Sequence, residues 1–349
     1  MFAVIIGATL WAADRAATLG YDFLAYHQAA NRVLAGEPLY DVTVEQTGGF
    51  GLFYYPPPFV LGILPFAPLD PVVATWVWIG LSIAAFFGGV ALMPVSTTVR
   101  WAIVLLGALS WPLAYALKLG QAGPLLFLLF AIGWGWLDSA VAVGGTAALG
   151  TIVKIQPGLV LFWALLTRRW AAVGVGMVVL VAAAVIATLV AGGPGIWSDY
   201  VTLIRNVSDP ITTPHNFTPG AIAYQLGAPS QLAAGIQVAS SVAAVLLVIV
   251  VALRGSAPAS YLLAVTASQL LSPVLWDHYA MLLLLPVAYL VERGQVWALL
   301  VPLATSILLI TVTPAAAYPI AFWVVIAGLA LVGLREGRRE TAATASFPA

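Results

Sequence analysis

Apolar stretches at or near membrane-crossing length follow one another along this chain with only short polar breaks between them. They run Phe2 to Ala13, Pro71 to Met93, Trp101 to Leu117, Gln121 to Leu137, Ala140 to Val153, Gly158 to Leu166, Trp170 to Ala191, Leu232 to Leu253, Ala259 to Leu275, His278 to Val291, Val296 to Thr311 and Ala315 to Leu334. Only 7% of the side chains are charged and 62% are hydrophobic, so no region holds the polar material that an independent water-soluble domain needs. The pattern predicts an all-α polytopic integral membrane protein of about twelve transmembrane helices, with residues 1–349 forming a single integral domain. Two segments, those flanking Lys154-Ile155-Gln156-Pro157, are too short to cross straight and predict broken or re-entrant helices held inside the protein.

Composition removes several chemistries. Formal net charge is zero and no basic tract occurs, so nucleic acid has no electrostatic footprint and is not an expected partner. The chain has no cysteine, which excludes disulfides, thiolate metal sites and cysteine nucleophiles. Phosphate-cradling loops of the G-x-x-x-x-G-K-[ST] type, H-E-x-x-H and G-x-S-x-G are all missing. What chemistry there is must come from Asp, Glu, His, Lys and Arg. The first stretch lacks a basic leader and a small-residue cleavage site, so it is read as a retained span and not a signal peptide.

Arginine placement orients the chain. With residues 14–70 as a first extracytoplasmic loop and 192–231 as a second, Arg100, Arg168, Arg169, Arg254, Arg293, Arg335, Arg338 and Arg339 all fall in the cytoplasm, as do both termini. A single long helix from Ala140 to Leu166 would flip this parity, so the broken pair is preferred. The same alternation collects Asp22, His27, Arg32, Glu37, Asp41, Lys118, Gln121, Lys154, Asp199, Arg205, Asp209, His215, Asn216, Asp277 and His278 on the outer side. In the first loop, Phe23, Tyr26, Ala30, Val33 and Leu34 recur at helical spacing, with acids at Asp22, Glu37, Asp41 and Glu45 nearby and Gly36 as a stop signal. This predicts a short helix along the membrane face. An outward-facing group-transfer site follows, one whose activated donor must be lipid-linked because soluble nucleotides stay inside.

Several strings carry a resemblance. Tyr21-Asp22-Phe23-Leu24-Ala25-Tyr26-His27-Gln28-Ala29-Ala30, Leu34-Ala35-Gly36-Glu37-Pro38-Leu39-Tyr40 and Phe53-Tyr54-Tyr55-Pro56-Pro57-Pro58-Phe59 open the series. Gly120-Gln121, Lys154-Ile155-Gln156-Pro157 ahead of Arg168-Arg169-Trp170, Asn216-Phe217-Thr218 and Ser272-Pro273-Val274-Leu275-Trp276-Asp277-His278-Tyr279 follow in order. Together they resemble the polyprenol-phosphate-mannose-dependent mannosyltransferases of glycosyltransferase family 87, over nearly the whole chain. The short N-terminus departs from that family and leaves the first helix open, but not the first loop.

The resemblance implies a glycosyltransferase C-type fold and a bacterial plasma-membrane enzyme. Such an enzyme moves a sugar, with inversion, from a polyprenyl phosphate donor to a hydroxyl of a glycolipid or lipid-anchored glycan. Mannose is the implied sugar and arabinofuranose the runner-up. By resemblance Asp22 would be the catalytic base, a role that suits a carboxylate because an acceptor hydroxyl becomes nucleophilic as its proton leaves. A departing phosphate needs cations, for which the outward groups Lys154, His278, Lys118 and Arg32 are candidates, in that order for the first two. Candidate sugar or acceptor contacts are His27, Gln121, Asn216, Asp277 and Tyr55. No compact Asp-x-Asp pair occurs, so no metal and no other cofactor is expected.

Plainer readings stand beside each of these. Asp22 and Asp277 suit helix caps, Lys154 a side chain snorkelling to the interface, His27 and His215 structural positions, and the aromatic run from Phe50 to Phe59 an interfacial anchor. Asn216-Phe217-Thr218 and Asn206-Val207-Ser208 fit the N-glycosylation triplet, a pattern that also arises by chance. A lipid-linked sugar flippase or transporter is the rival class; it would place ionisable residues in mid-span, in two similar halves. A structural subunit of a glycan-assembly complex would have no use for Asp22.

Overall fold

A computed structural model describes residues 1–43, 52–207 and 210–345, so Glu45, Phe50, Ser208 and Asp209 lie outside the described residues. Among the described residues sixteen α-helices follow in order: α1 Phe2–Arg15, α2 Tyr21–Leu34, α3 Pro71–Leu92, α4 Thr97–Leu109, α5 Trp111–Leu119, α6 Gly123–Gly135, α7 Thr146–Val153, α8 Leu159–Leu166, α9 Trp170–Val190, α10 Gly195–Val207, α11 Pro219–Gln225, α12 Ser230–Arg254, α13 Ala257–Leu270, α14 Leu284–Glu292, α15 Leu300–Ala304 and α16 Ala317–Ala345. Short 3-10 turns at Pro57–Gly62, Gln156–Gly158 and Asp277–Leu283 join them. Among the described residues there is no strand, and an isolated bridge pairs Ser110 with Ser306.

The bundle is built round α13, where every residue from Ala259 to Leu270 is buried. Against it lie α8, α12, α14 and α16. By contrast α9 exposes Val178, Val181, Val185 and Leu189, and α12 exposes Val238, Val242, Leu246 and Leu253. Apolar faces this long suit lipid and not water.

Among the described residues four helices, α3, α9, α12 and the Ala317–Glu340 part of α16, are long and apolar enough to cross a membrane. A fifth crossing is available if α5 and α6, bent by 119° at their junction, count as one. The twelve-span expectation is therefore met only in part. Counting apolar residues overlooks where the backbone must break. Trp101 to Leu117 divides at Ser110, because Pro112 has no N–H with which to continue α4, and the Ser110 hydroxyl accepts from Leu113 N at 3.2 Å to start α5 afresh. Val296 to Thr311 yields a 3-10 turn and the five-residue α15 before the chain turns at Ser306. Ala140 to Leu166 breaks as expected: Lys154 is extended (φ −147°, ψ 142°) ahead of Pro157.

Polar groups separate to the two ends of α3, whose 22 residues span about 33 Å. At its C-terminal end Arg100 donates to Met93 O, Glu292 accepts from Ser96, Arg169 pairs with Asp138, and Glu336 binds Ser256, Tyr289 and Arg293. At its N-terminal end Asp70 caps the helix through Val72 N and Val73 N, and α2 docks.

That docking rests on two glycines. Gly20 (φ +73°) and Gly120 (φ +69°) both take the left-handed conformation, and a Cβ at Gly120 would lie 2.6 Å from the Cβ of Phe23. Gly20 N donates to Lys118 O and Trp78 Nε1 donates to Gly120 O. The turn between α5 and α6 is thereby pressed against the first turn of α2, which brings Gln121 to Asp22.

Candidate active site

Asp22 sits in the first turn of α2 and not at its cap. Gly20 occupies the cap position and makes no side-chain bond there, which corrects the capping reading. The freed carboxylate points across the chain instead, where its Oδ2 accepts a short hydrogen bond from Gln121 Nε2. Gln121 Oε1 in turn accepts from the Tyr55 hydroxyl at 2.9 Å and the Tyr26 hydroxyl at 3.4 Å, and the two tyrosine hydroxyls share a 2.5 Å bond. Tyr26 was not singled out from the sequence, although its i, i+4 relation to Asp22 puts both on one helix face.

Two cationic candidates come into electrostatic range of Asp22: Lys154, at the break between α7 and the Gln156–Gly158 turn, and His278, in the Asp277–Leu283 turn. The Lys154 ammonium stands 3.4 Å above the centre of the Tyr279 ring and donates no hydrogen bond among the described residues. His278 is buried with neither ring nitrogen hydrogen-bonded. Its Nδ1 faces Asp277 Oδ1 at 3.7 Å. Asp277 is held in place by its own turn, since Oδ1 accepts from His278 N at 2.8 Å and Oδ2 from Trp111 Nε1 at 2.9 Å. Trp111 and Tyr115 stack at 5.0 Å on this side of α5, with the Lys118 ammonium 5.5 Å from the Tyr115 ring. Lys118 is thus half-buried on α5, two residues ahead of the Gly120 junction.

Burial sets the protonation of these groups. Burial is the largest influence on Asp22 and lifts its carboxyl above the ordinary aspartate value, against the pull of His278, the Gln121 hydrogen bond and Lys154. Burial likewise pushes the Lys154 ammonium down to about 7, while Asp22 holds it up.

Three residues proposed from the sequence are occupied elsewhere. Arg32 lies about 15 Å along α2 from Asp22, where its guanidinium donates to Leu39 O at 3.0 Å beside Asp41 and Glu37. His27 Nε2 is shared between Phe66 O and Leu69 O, each at 3.1 Å, tying α2 to the chain ahead of α3. Asn216, wholly buried, donates to Pro210 O and Pro273 O and accepts from Thr218 N and Leu275 N. All four bonding positions of its amide are used, which staples the approach to α11 onto the segment that carries Asp277 and His278. Asn216→Ala is expected to lower stability by about 2–4 kcal/mol, because it strands buried backbone groups. Thermal unfolding in detergent measures this, and an unchanged midpoint would refute the staple.

An apolar helical bundle thus holds a buried carboxylate, Asp22, within electrostatic reach of the Lys154 ammonium and the His278 imidazole. The family description of glycosyltransferase family 87 matches residues 53–273, well over half of the chain. The chain belongs to glycosyltransferase family 87 and is a membrane glycosyltransferase. The matched region contains Tyr55, Lys118, Gln121, Lys154 and Asn216, with Asp22, Asp277 and His278 outside it. No curated protein and no solved structure matches the chain.

Proposed function

We propose that this enzyme transfers a sugar, mannose first, from a polyprenyl phosphate to a hydroxyl of a glycolipid or lipid-anchored glycan, with inversion, on the extracytoplasmic face of a bacterial plasma membrane. The observation carrying the reading is that Asp22 lies within electrostatic reach of Lys154 and of His278, whose buried ring nitrogens have no hydrogen-bond partner. In this reading the short helices complete a glycosyltransferase C-type bundle of about twelve crossings with both termini cytoplasmic. Buried polar groups shield the breaks from lipid.

The chemistry needs one base and a cationic leaving-group site. The acceptor oxygen forms a bond to the anomeric carbon on the face opposite the phosphate, the bond from that carbon to the phosphate oxygen breaks, and the hydroxyl proton passes to an Asp22 carboxylate oxygen. The departing polyprenyl phosphate keeps the electron pair, and its growing charge is met by the Lys154 ammonium and by an N–H of His278. Lys118, half-buried on α5, meets the phosphate on its way in. Asp277 flanks His278, and Gln121 and Tyr55 support the Asp22 carboxylate from its Oδ2 side. Arg32, His27 and Asn216 have no part in the reading, since Arg32 donates to Leu39 O and His27 and Asn216 bond backbone groups of the scaffold. Membrane lipids surround the donor's entry path.

The test is transfer by purified protein in lipid vesicles, given polyprenyl phosphate mannose or arabinofuranose and a glycolipid acceptor, alongside Asp22→Asn. The expected product is a mannoside of inverted configuration, formed by the native chain and lost in the variant. Arabinose transfer alone would replace the sugar. Donor crossing the vesicle without any glycoside formed would replace the enzyme with a flippase.

A further inference from the structure

We infer that Gln121 is a positioning residue for Asp22, and that Tyr26 and Tyr55 aim it. This rests on the reading of Asp22 as the base and assigns Gln121 a task other than touching the sugar. The argument is one of direction. An ionised carboxylate only accepts hydrogen bonds, so the group that Gln121 offers it must be Nε2, and Oε1 must face the other way. There it meets the Tyr55 hydroxyl at 2.9 Å. With the Tyr55 proton committed to Gln121, the 2.5 Å contact between Tyr26 and Tyr55 is supplied by the single Tyr26 proton, which makes the longer 3.4 Å approach of Tyr26 to Gln121 Oε1 the lesser of its two contacts. Every donor in the chain Tyr26, Tyr55, Gln121 therefore points toward Asp22, and such a row polarises its members in the same sense.

The row is held from outside. The Tyr55 ring stacks on Phe59 at 4.5 Å between centroids and lies edge-on to Tyr26 at 4.7 Å, while Tyr40 donates to the Tyr55 carbonyl at 2.7 Å. Burial keeps both phenols protonated, their pKa values being pushed well above the tyrosine range. Gln121 itself is 7% exposed and has no freedom to turn. The row has two consequences for catalysis. It fixes which carboxylate oxygen stays free for the acceptor proton, namely Oδ1, and it favours the ionised form of Asp22 against the cost of burial. The other titratable groups facing Asp22 are Lys154, His278, Tyr279 and Tyr115. None of them donates a hydrogen bond to it among the described residues.

The experiment compares Gln121→Leu and Tyr55→Phe in the reconstituted transfer assay, each across pH. Tyr55→Phe keeps the stacked ring and removes only the donor, so it guards against a variant that fails to fold. The expected result is a kcat lower by about tenfold to a hundredfold in Gln121→Leu and less in Tyr55→Phe. Donor and acceptor KM should be unchanged, and the acid limb of the rate profile should move upward by about one unit. The sign follows because losing a bond to the carboxylate favours its protonated form. A raised KM with an unmoved acid limb, or no change in either variant, overturns the inference. Asp22→Asn, run beside them, separates the two ideas: full activity there removes the base itself, whereas its loss with a normal Gln121→Leu removes only the positioning role.

Discussion

Asp22→Asn is expected to lower kcat by about three orders of magnitude, within the range a positioned general base contributes, and to leave donor KM close to that of the native enzyme. Asparagine keeps the shape and hydrogen-bonding reach of the side chain, so the site should keep its form. What is lost is the acceptor for the hydroxyl proton, needed only as the new bond to the anomeric carbon forms. A defect confined to kcat is the signature of an interaction made in the transition state. The pH dependence adds a second check. Burial raises the Asp22 pKa, so activity should fall on the acid side at a higher pH than an ordinary aspartate would give. That limb should disappear with the carboxylate. Steady-state transfer rates across pH for both proteins decide the matter, and retention of full kcat by Asp22→Asn would end the proposed mechanism.

Lys154→Ala should be nearly as damaging, costing about a hundredfold to a thousandfold in kcat/KM, the scale seen when a preorganised charge is removed from a developing anion. Its pH behaviour runs opposite to that of Asp22. The folded-state pKa of Lys154 is depressed to about 7 by burial. The ammonium is therefore present below that pH and is lost as pH rises through it. In kcat/KM, which reports the free enzyme, an alkaline limb is expected near 7. In kcat the limb should lie higher, because a bound phosphodiester favours the charged form. Lys154→Arg keeps its charge throughout and should flatten the limb while losing part of the rate, since a planar guanidinium presents its donors to the phosphate in a different geometry from an ammonium. A limb that persists unchanged in Lys154→Arg would show that another group titrates there.

The sequence singles out several residues of the candidate site, and the role proposed for Asp22 comes from the family resemblance. Asp22 stood out as an acid opening a helix in the first loop. Lys154 stood out as a lone cation among apolar residues next to Pro157, where the backbone does break. Asp277 and His278, adjacent in sequence, were bound to share surroundings. Other residues misled because a polar side chain at an outer position looks the same whether it meets substrate or backbone. Arg32, His27 and Asn216 are spent on carbonyls and amides whose positions no local pattern reveals. Gln121 reads from its position as a sugar or acceptor contact, and nothing local shows that Asp22, 99 residues away, is its hydrogen-bond partner.

The apolar lengths, the near absence of charge and the arginine spacing dictate a helical membrane protein from the chain alone, because transfer of a side chain into lipid depends on that side chain and its immediate neighbours. How many of those segments become continuous helices, and which polar groups face one another, was decided by folding. Both depend on backbone breaks at Ser110, Gly120 and Lys154, and on close approaches such as that of Gly120 to Phe23. Contacts of this kind join residues remote in sequence, and their geometry exists only once the helices have packed.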